Sequence, residues 1–585
     1  MHHAQTHPKY LNSNSTSHVW VFGAIAEIVD NAGDTDALAT ELQISMEQYE
    51  GVDTLMFIDN GNGANHADLA RMMSFGYCEK VDVGDHRAVG HYGNGFKSGS
   101  MRVGDSVIVG SRKRGTSELS VGMLSQTFLK KIKAAEILVP LATWKDIDES
   151  PTLTHSCYKQ AAWIAKHSFL KDVDAILTYF LARIPEAGGT VIVCSELRRL
   201  EDGELELKLD NSTKDIFLDR RQQRRDFQAE TLDVQIDYSL RAYLSVLYLK
   251  PRMKILLQKK KVNTRPIAKT LCHTRVLTYK PHGREKIPIT FGFDPSDTKR
   301  ELYGMFLYNR NRLIRYYLRV GPQLQPNKVG LGVIGVCEPN ALQPTHNKQD
   351  FIDNREYQKI LEESGKKLHQ YWKETMGARG VVRDSKDAKK AVDQVATETV
   401  PDLVWVQCDA CMKWRKMPHI KDPDTLPENW FCEDNPNTEY NTCDAKEEPE
   451  HVEAREETSE RKKNKREFDD IDKAEKAKKK AALAAVAERL GLPPRSAWAG
   501  GSNGTPRAST TPRTSQTAAT ATSMGAADIP FVPSLPVAMP VSDSNGAAPN
   551  VTAVPIPTET EIDQRTPRTN PHHVAMWTDG CATWL

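Results

Sequence analysis

The first 200 residues alternate between two patterns of apolar and polar positions. Residues 19–29 are largely apolar and run into Asp30-Asn31-Ala32-Gly33-Asp34. Residues 54–58 form a short apolar run stopped by Asp59-Asn60-Gly61-Asn62-Gly63, the pattern of a buried strand ending in a turn. Residues 106–110 and 189–193 repeat the strand pattern. Interleaved strands and helices predict a layered α/β (α+β) domain. The mixture continues from about 205 to 350, where 244–248 and 254–257 read as strands. Residues 354–395 read as a charged helix. A second stretch, 453–490, is dense in Glu, Lys, Arg and Ala and stops at Gly491-Leu492-Pro493-Pro494.

Composition changes this picture mainly at the C-terminal end. Apolar residues make up 39% of the 585, below the roughly 45–50% of globular chains, a benchmark that also counts Gly. Beyond Arg495 lie 11 of the 32 prolines, set among Ser, Thr, Ala and Gly, so a disordered tail is expected over 491–585. The net charge of +1 argues against a uniformly basic nucleic-acid coat and leaves local patches open. No apolar run reaches the ~18 residues of a membrane span. The first residues lack the apolar core of a secretion signal. A reducing compartment is therefore expected, in which the 10 cysteines are not a disulfide framework.

Three elements in the first hundred residues carry phosphate chemistry. If 26–31 is helical, Glu27 and Asn31 lie at i and i+4 on one face. A carboxylate there can orient or deprotonate a water, and an amide oxygen one turn away can ligate Mg²⁺. Asp59, directly after a strand, can accept the adenine amino group, with Gly61 and Gly63 giving the backbone a close approach. Gly90-His91-Tyr92-Gly93-Asn94-Gly95-Phe96-Lys97-Ser98 offers backbone N–H groups and a following helix N-terminus to phosphates. Each piece alone is more often an ordinary solvated face or turn. In this order and spacing they resemble the Bergerat-fold ATP site of the GHKL superfamily, and no Walker-type P-loop is present. The resemblance implies a GHKL-type ATPase with Glu27 as general base, Asn31 as Mg²⁺ ligand and Asp59 as adenine reader beside Gly61 and Gly63. It also implies Gly93, Asn94, Gly95, Phe96, Lys97 and Ser98 as the phosphate lid, and Thr190 as a second, water-mediated adenine contact.

The wording narrows further. Asn14-Ser15-Thr16-Ser17-His18-Val19-Trp20, Lys97-Ser98-Gly99-Ser100-Met101-Arg102, Leu249-Lys250-Pro251-Arg252 and Pro344-Thr345-His346-Asn347-Lys348 closely resemble the Microrchidia (MORC) ATPases. The resemblance runs from about residue 9 to 450 and implies an ATPase head, an S5-type transducer and a CW-type zinc finger. It makes Lys348 the transducer lysine that returns to the γ-phosphate. One departure stands beside the site. The family's usual Asp-Asn-Ala-Tyr-Asp-Pro-Asp is here Asp30-Asn31-Ala32-Gly33-Asp34-Thr35-Asp36, so Gly33 removes an aromatic ring and is expected to loosen packing there.

Cys408-x₂-Cys411 followed by Cys432 and Cys443 supplies four thiolates for a closed structural Zn²⁺ site. Trp405, Trp414 and Trp430 interleave with them, a pattern similar to CW fingers. In that family the first two tryptophans wall a methyl-lysine cage and the third is core. Indole faces attract quaternary ammonium without a hydrogen bond. Asp444, Glu447 or Glu448 is the candidate carboxylate of the cage, and Glu448 is preferred. The family's ligand is the histone H3 tail methylated on lysine 4.

Basic clusters at Arg220-Arg221 with Arg224-Arg225, at Lys259-Lys260-Lys261, and at Arg310, Arg312, Arg315 and Arg319 are candidate DNA contacts. Arg461-Lys462-Lys463-Asn464-Lys465-Arg466 matches a nuclear localisation patch. The expected order is ATPase head 1–204, transducer 205–375, helical linker 376–399, finger 400–450, charged helix or short coiled coil 451–490, and tail. The expected function is a nuclear, ATP-dependent homodimeric chromatin factor with slow ATP turnover, using ATP, Mg²⁺ and Zn²⁺ and binding DNA and H3. A non-hydrolysing histone reader is the nearest alternative. A MutL-like repair ATPase is a weaker one.

Overall fold

The computed structural model describes residues 6–377, except 78–79, 83–87, 91, 220–233, 282, 284, 298 and 326–328, and residues 404–448, except 421–426 and 428. The charged stretch 451–490 with its basic patch, most of the expected linker, Arg220 to Arg225, and the tail lie outside the described residues.

The strand patterns of the first part form one twisted sheet. It is built from β1 (Glu41–Tyr49), β2 (Val52–Asp59), β3 (Gly104–Arg112), β4 (Glu118–Ser125), β5 (Leu141–Lys145), β6 (Thr152–Leu153) and β7 (Gly189–Leu197). A separate hairpin joins β8 (Leu207–Asp210) to β9 (Asp215–Leu218). Two later strands, β10 (Lys254–Leu257) and β11 (Lys260–Lys261), return to the large sheet. Its order is β11-β10-β1-β2-β7-β3-β4-β5-β6, and the β1–β10 pair is parallel. The head sheet thus continues into sequence beyond 205.

Three helices frame the cleft, α2 (Val21–Ala32), α3 (His66–Met73) and α4 (Gly95–Val103), and α1 (Lys9–Ser15) packs against α4. Eleven residues of α2 are buried, including Glu27 and Asp30, so this helix is a core element that carries two carboxylates inward. α4 lies close against it because Gly99 has no side chain. A Cβ there would stand 2.7 Å from the Ala24 carbonyl oxygen.

A second sheet follows, from β12 (Cys272–Tyr279), β13 (Ile287–Phe293), β14 (Gly304–Asn309), β15 (Arg312–Leu318) and β16 (Val333–Cys337), in the order β12-β13-β16-β14-β15. Helix Arg355–Gly377 packs on it through buried Leu368, Tyr371 and Trp372. Phe306, Tyr308 and Leu313 belong instead to the core of the head, so the two sheets share apolar packing. The finger carries a short antiparallel pair, β17 (Trp405–Gln407) and β18 (Trp414–Lys416).

One expectation is corrected. Most of 244–248 is helical, within Leu240–Val246. The Ser239 hydroxyl caps that helix by accepting from the Ala242 N–H at 3.0 Å. Leu240, Tyr243, Leu244 and Leu247 are buried at helical spacing, and this burial outweighs the strand preference of the short apolar run. Among the described residues, no helix is long and apolar enough to cross a membrane.

Candidate active site and zinc centre

A cleft of about 790 Å³ opens between α2, the ends of β2 and β7, and the start of α4. Glu27, Asn31, Asp59, Gly63, Gly93, Gly95, Phe96, Lys97, Thr190 and Lys348 all line it. The helical period puts Glu27 and Asn31 on the cleft face of α2. Asp59 ends β2, pairs in register with Thr190 on β7, and accepts from the Gly61 N–H at 2.9 Å. Burial pushes the Asp59 carboxyl up to about 6, against the pull of the Gly61 and Thr190 N–H groups. One glycine is required by backbone contact, and a second stands directly against the Glu27 carboxylate. At Gly63, with φ of +63°, a Cβ would stand 1.8 Å from the Arg112 carbonyl oxygen. At Gly95 it would stand 2.2 Å from Glu27 Oε2.

Behind the cleft lies a buried group of four charges that sum to zero. Lys348 Nζ donates to Glu27 Oε2 at 3.0 Å and to Asp30 Oδ2 at 2.9 Å. Arg312 Nε lies 3.1 Å from Asp30 Oδ1, and the Tyr248 hydroxyl donates to the same oxygen at 2.8 Å. Burial would lower the Lys348 ammonium, but Asp30 and Glu27 beside it hold it well above the usual lysine range. Lys348 has φ of +51°, a conformation that costs a non-glycine residue and is fixed here by the tight turn 344–351. Among the described residues Glu27 Oε1 is buried with no hydrogen-bond partner, an unsatisfied acceptor on a residue that lines the cleft. His18 stays neutral, its pKa lowered to about 3 by burial and by nearby His346, Lys348 and Arg102.

The four finger cysteines converge. Their sulfurs lie within 4.8 Å of one another, with Cys408–Cys443 at 3.8 Å and Cys411–Cys432 at 3.6 Å. Tetrahedral zinc with ~2.3 Å bonds to sulfur needs edges of ~3.8 Å, so the donor set fits the ion. Trp430 is buried in the finger core with Val404 and Met417. Trp405 and Trp414 face a cation supplied by this chain. Lys269 Nζ sits 4.5 Å from the Trp405 ring centre and 5.6 Å from that of Trp414, and donates to Glu447 at 2.8 Å. Lys261 pairs with Asp409, and the Thr264 hydroxyl donates to Gln407 at 2.7 Å, so the finger is docked on β11 at the edge of the large sheet and on the segment that follows it.

Three family matches fall on these parts. Residues 19–161 match the Histidine kinase-, DNA gyrase B-, and HSP90-like ATPase family, 238–372 the Morc6 ribosomal protein S5 domain 2-like family, and 404–449 the CW-type Zinc Finger. The chain is 40% identical over 454 residues to mouse "MORC family CW-type zinc finger protein 3", covering 76% of this chain and 46% of that protein. The chain belongs to the MORC family. It is 29% identical over 559 residues to human "ATPase MORC2" (77% and 52% covered) and 34% identical over 401 to Arabidopsis thaliana "Protein MICRORCHIDIA 2" (64% and 62%). It spans about half the length of the mouse and human relatives.

Within this MORC chain several expected site residues also bond to other parts of the protein. Lys97 is buried and donates to the carbonyls of Met72 and Gly93. Asn94 Oδ1 accepts from the Gly76 N–H at 3.1 Å. The Ser98 hydroxyl meets His18 Nε2 at 3.1 Å. Glu448 accepts from the Lys416 N–H at 2.7 Å, and Glu447 is the carboxylate beside the two indoles. A Cβ at Gly33 would meet only Met253, at 3.5 Å, so this methionine lies beside the missing aromatic ring. The basic clusters are partly structural. Arg312 is buried, Arg315 pairs with Asp350, and Arg310 pairs with Asp82. Lys259, Lys260 and Arg319 remain exposed. The sequence reading passed over Asp30, Tyr248 and Lys80. Only the oddity of a charge inside an apolar helix pointed to Asp30.

Proposed function

We propose that this MORC chain is a nuclear, ATP-gated homodimeric chromatin factor that hydrolyses ATP slowly. Glu27 is the observation that carries the reading. Its carboxylate belongs to a cleft-lining residue and is held by Lys348 through one oxygen, and among the described residues the other oxygen has no partner. In this role Glu27 orients the attacking water and takes its proton. Asp59 accepts the adenine amino group and Thr190 holds the same end of the base through water. Gly93 and Gly95 let backbone N–H groups at the start of α4 approach the phosphates. Mg²⁺, when bound, neutralises phosphate charge, and Asn31 is the residue that would hold it. Lys348 exchanges Glu27 for the γ-phosphate, so ATP favours the docked transducer and the paired heads over the open chain.

The finger, held by Cys408, Cys411, Cys432 and Cys443 on zinc, is proposed to read an H3 tail methylated on lysine 4. Trp405 and Trp414 form the cage, with Glu447 closing it in place of Glu448. That an ammonium already lies between these indoles and a carboxylate supports the reading. The histone lysine must displace Lys269 to enter. Lys259 and Lys260, exposed at the β10–β11 turn, are proposed DNA contacts.

Phosphate release by the wild type and by Glu27→Ala tests the enzyme. Turnover in the wild type and its loss in the variant are expected, and equal rates refute hydrolysis at this site. Sizing the chain with and without a non-hydrolysable ATP analogue tests dimerisation, and an unchanged mass refutes the gate.

A further inference from the structure

Beside Asn31, the cleft holds a cation that the sequence motifs do not announce. Lys80 comes from the segment leading into the glycine loop, and its side chain is 14% exposed. Its Nζ donates to Asn31 Oδ1 at 3.1 Å and to Asp34 Oδ2 at 3.1 Å, and lies 3.2 Å from Asp36 Oδ1. An ammonium has three donors and no acceptor, so these three oxygens use it fully. Asp34 is completely buried and serves both sides of the same segment. Beyond Lys80 it accepts from the Val89 N–H at 3.0 Å and the Gly90 N–H at 2.9 Å.

We infer that Lys80 is the resident cation of the metal position, a positioning residue that occupies the Asn31 oxygen in the nucleotide-free protein and yields it when Mg²⁺–nucleotide binds. This rests on the reading of Asn31 as the magnesium ligand. Mg²⁺ demands near-octahedral geometry at about 2.1 Å, and an ammonium hydrogen-bonded to the same oxygen blocks that approach by both its volume and its charge. Of the three partners, Asn31 is the neutral one and is the one most readily given up. Asp34 and Asp36 keep the ammonium charged and nearby. The donor released from Asn31 is then free for a phosphate oxygen, so Lys80 leaves an amide for a phosphate without crossing the cleft. Asp34 meanwhile keeps hold of residues 89 and 90, so the exchange is felt at the entrance to the glycine loop.

The test is nucleotide binding, measured on the full chain by calorimetry with a β,γ-imido ATP analogue at stepped concentrations of Mg²⁺. Lys80→Gln removes the competing charge, so the Mg²⁺ midpoint for analogue binding is expected to fall by about threefold or more, as it does when a competing state is withdrawn. Saturating Mg²⁺ should leave the variant's analogue affinity weaker than wild type, because the phosphate donor is gone. A Mg²⁺-dependent wild type with an unchanged midpoint in Lys80→Gln overturns the role of Lys80 alone. Mg²⁺-independent binding by the wild type overturns the Asn31 reading and the inference with it. Should Lys80→Gln fail to fold, a wild-type structure with Mg²⁺ and the analogue decides the matter. Lys80 Nζ must then have left hydrogen-bond distance of Asn31 Oδ1, and its persistence there refutes the exchange.

Discussion

Replacing Lys269 with alanine should open the finger to a histone peptide by a calculable amount. The Lys269 side chain is 4% exposed, and its ammonium lies 4.5 Å and 5.6 Å from the centres of two indoles. A desolvated cation over aromatic faces contributes about 2 kcal/mol. Its partner Glu447 is 31% exposed, so that ion pair adds about 1 kcal/mol at most. Together these favour the self-occupied cage by about 2–3 kcal/mol, or roughly 30–150-fold at 1.4 kcal/mol per decade. An incoming lysine binds only the fraction of chains whose cage is empty, and its apparent affinity is reduced by that fraction. Lys269→Ala therefore raises the affinity of the full chain for an H3 peptide methylated on lysine 4 by tens-fold. Calorimetric titration of the wild type and the variant measures it. Trp414→Ala should abolish peptide binding in both backgrounds. Equal affinities for wild type and Lys269→Ala would refute the competition, and with it the claim that the two indoles facing Lys269 are the reading surface.

Gly95→Ala places a methyl carbon 2.2 Å from Glu27 Oε2, so nucleotide turnover should be lost while the thermal transition stays close to wild type, checked by phosphate release and calorimetry. The Asp59 carboxyl, raised to about 6 by burial, makes nucleotide binding pH-dependent. Accepting the adenine amino group requires the ionised form, so affinity should fall as pH drops through 6. The folded state binds this proton more tightly than the unfolded chain, so in the nucleotide-free protein Asp59 contributes stability below pH ~4 that is lost as pH rises through 6. Titrating affinity and stability against Asp59→Asn isolates both effects, and parallel pH profiles would refute them. Chelating zinc should unfold residues 404–448 and leave the head's nucleotide affinity intact, since four-thiolate sites hold mini-domains together. Hydrogen exchange resolves the two regions, and unchanged protection of the finger would count against a structural metal.

What the sequence disclosed depended on how far apart the interacting residues lie. Glu27 and Asn31 are one helical turn apart, so the period of an apolar run sufficed to place them together. The cysteine spacing worked for the same reason, because a C-x₂-C pair is a local geometry. The hydrogen bonds of Lys97 were hidden, since these partners are backbone carbonyls, which leave no mark in the sequence. Arg312 meets Asp30 across 282 residues, and in the sequence it resembled one member of a surface cluster. Lys269 lies alone in a short helix, Ile267–Thr270, with no pattern to link it to tryptophans far along the chain. The segment 244–248 was misleading because a short apolar run fits a strand or a buried helix equally well. The cap at Ser239 and the helical spacing of Leu240, Tyr243, Leu244 and Leu247 distinguish them.

The buried charges divide their work unequally, and this division makes a switch compatible with a stable fold. Asp30 receives Tyr248, Arg312 and Lys348, and its net pKa is lowered because the two cations outweigh burial. Among the described residues Glu27 receives Lys348 alone. Under the proposed exchange of Lys348 to a phosphate, Asp30 still holds Arg312 and Tyr248, so β15 and the segment that leads into β10 remain tied to α2. Glu27 is then released with both oxygens free for water. Breaking a buried pair outright costs about 3–5 kcal/mol, because one charge is left without compensation. Exchanging Lys348 from one anion to another avoids most of that cost, because the phosphate brings its own negative charge. The cost falls instead on Glu27, which must find a hydrogen-bond donor as Lys348 departs, and a water in the cleft is the donor that hydrolysis requires.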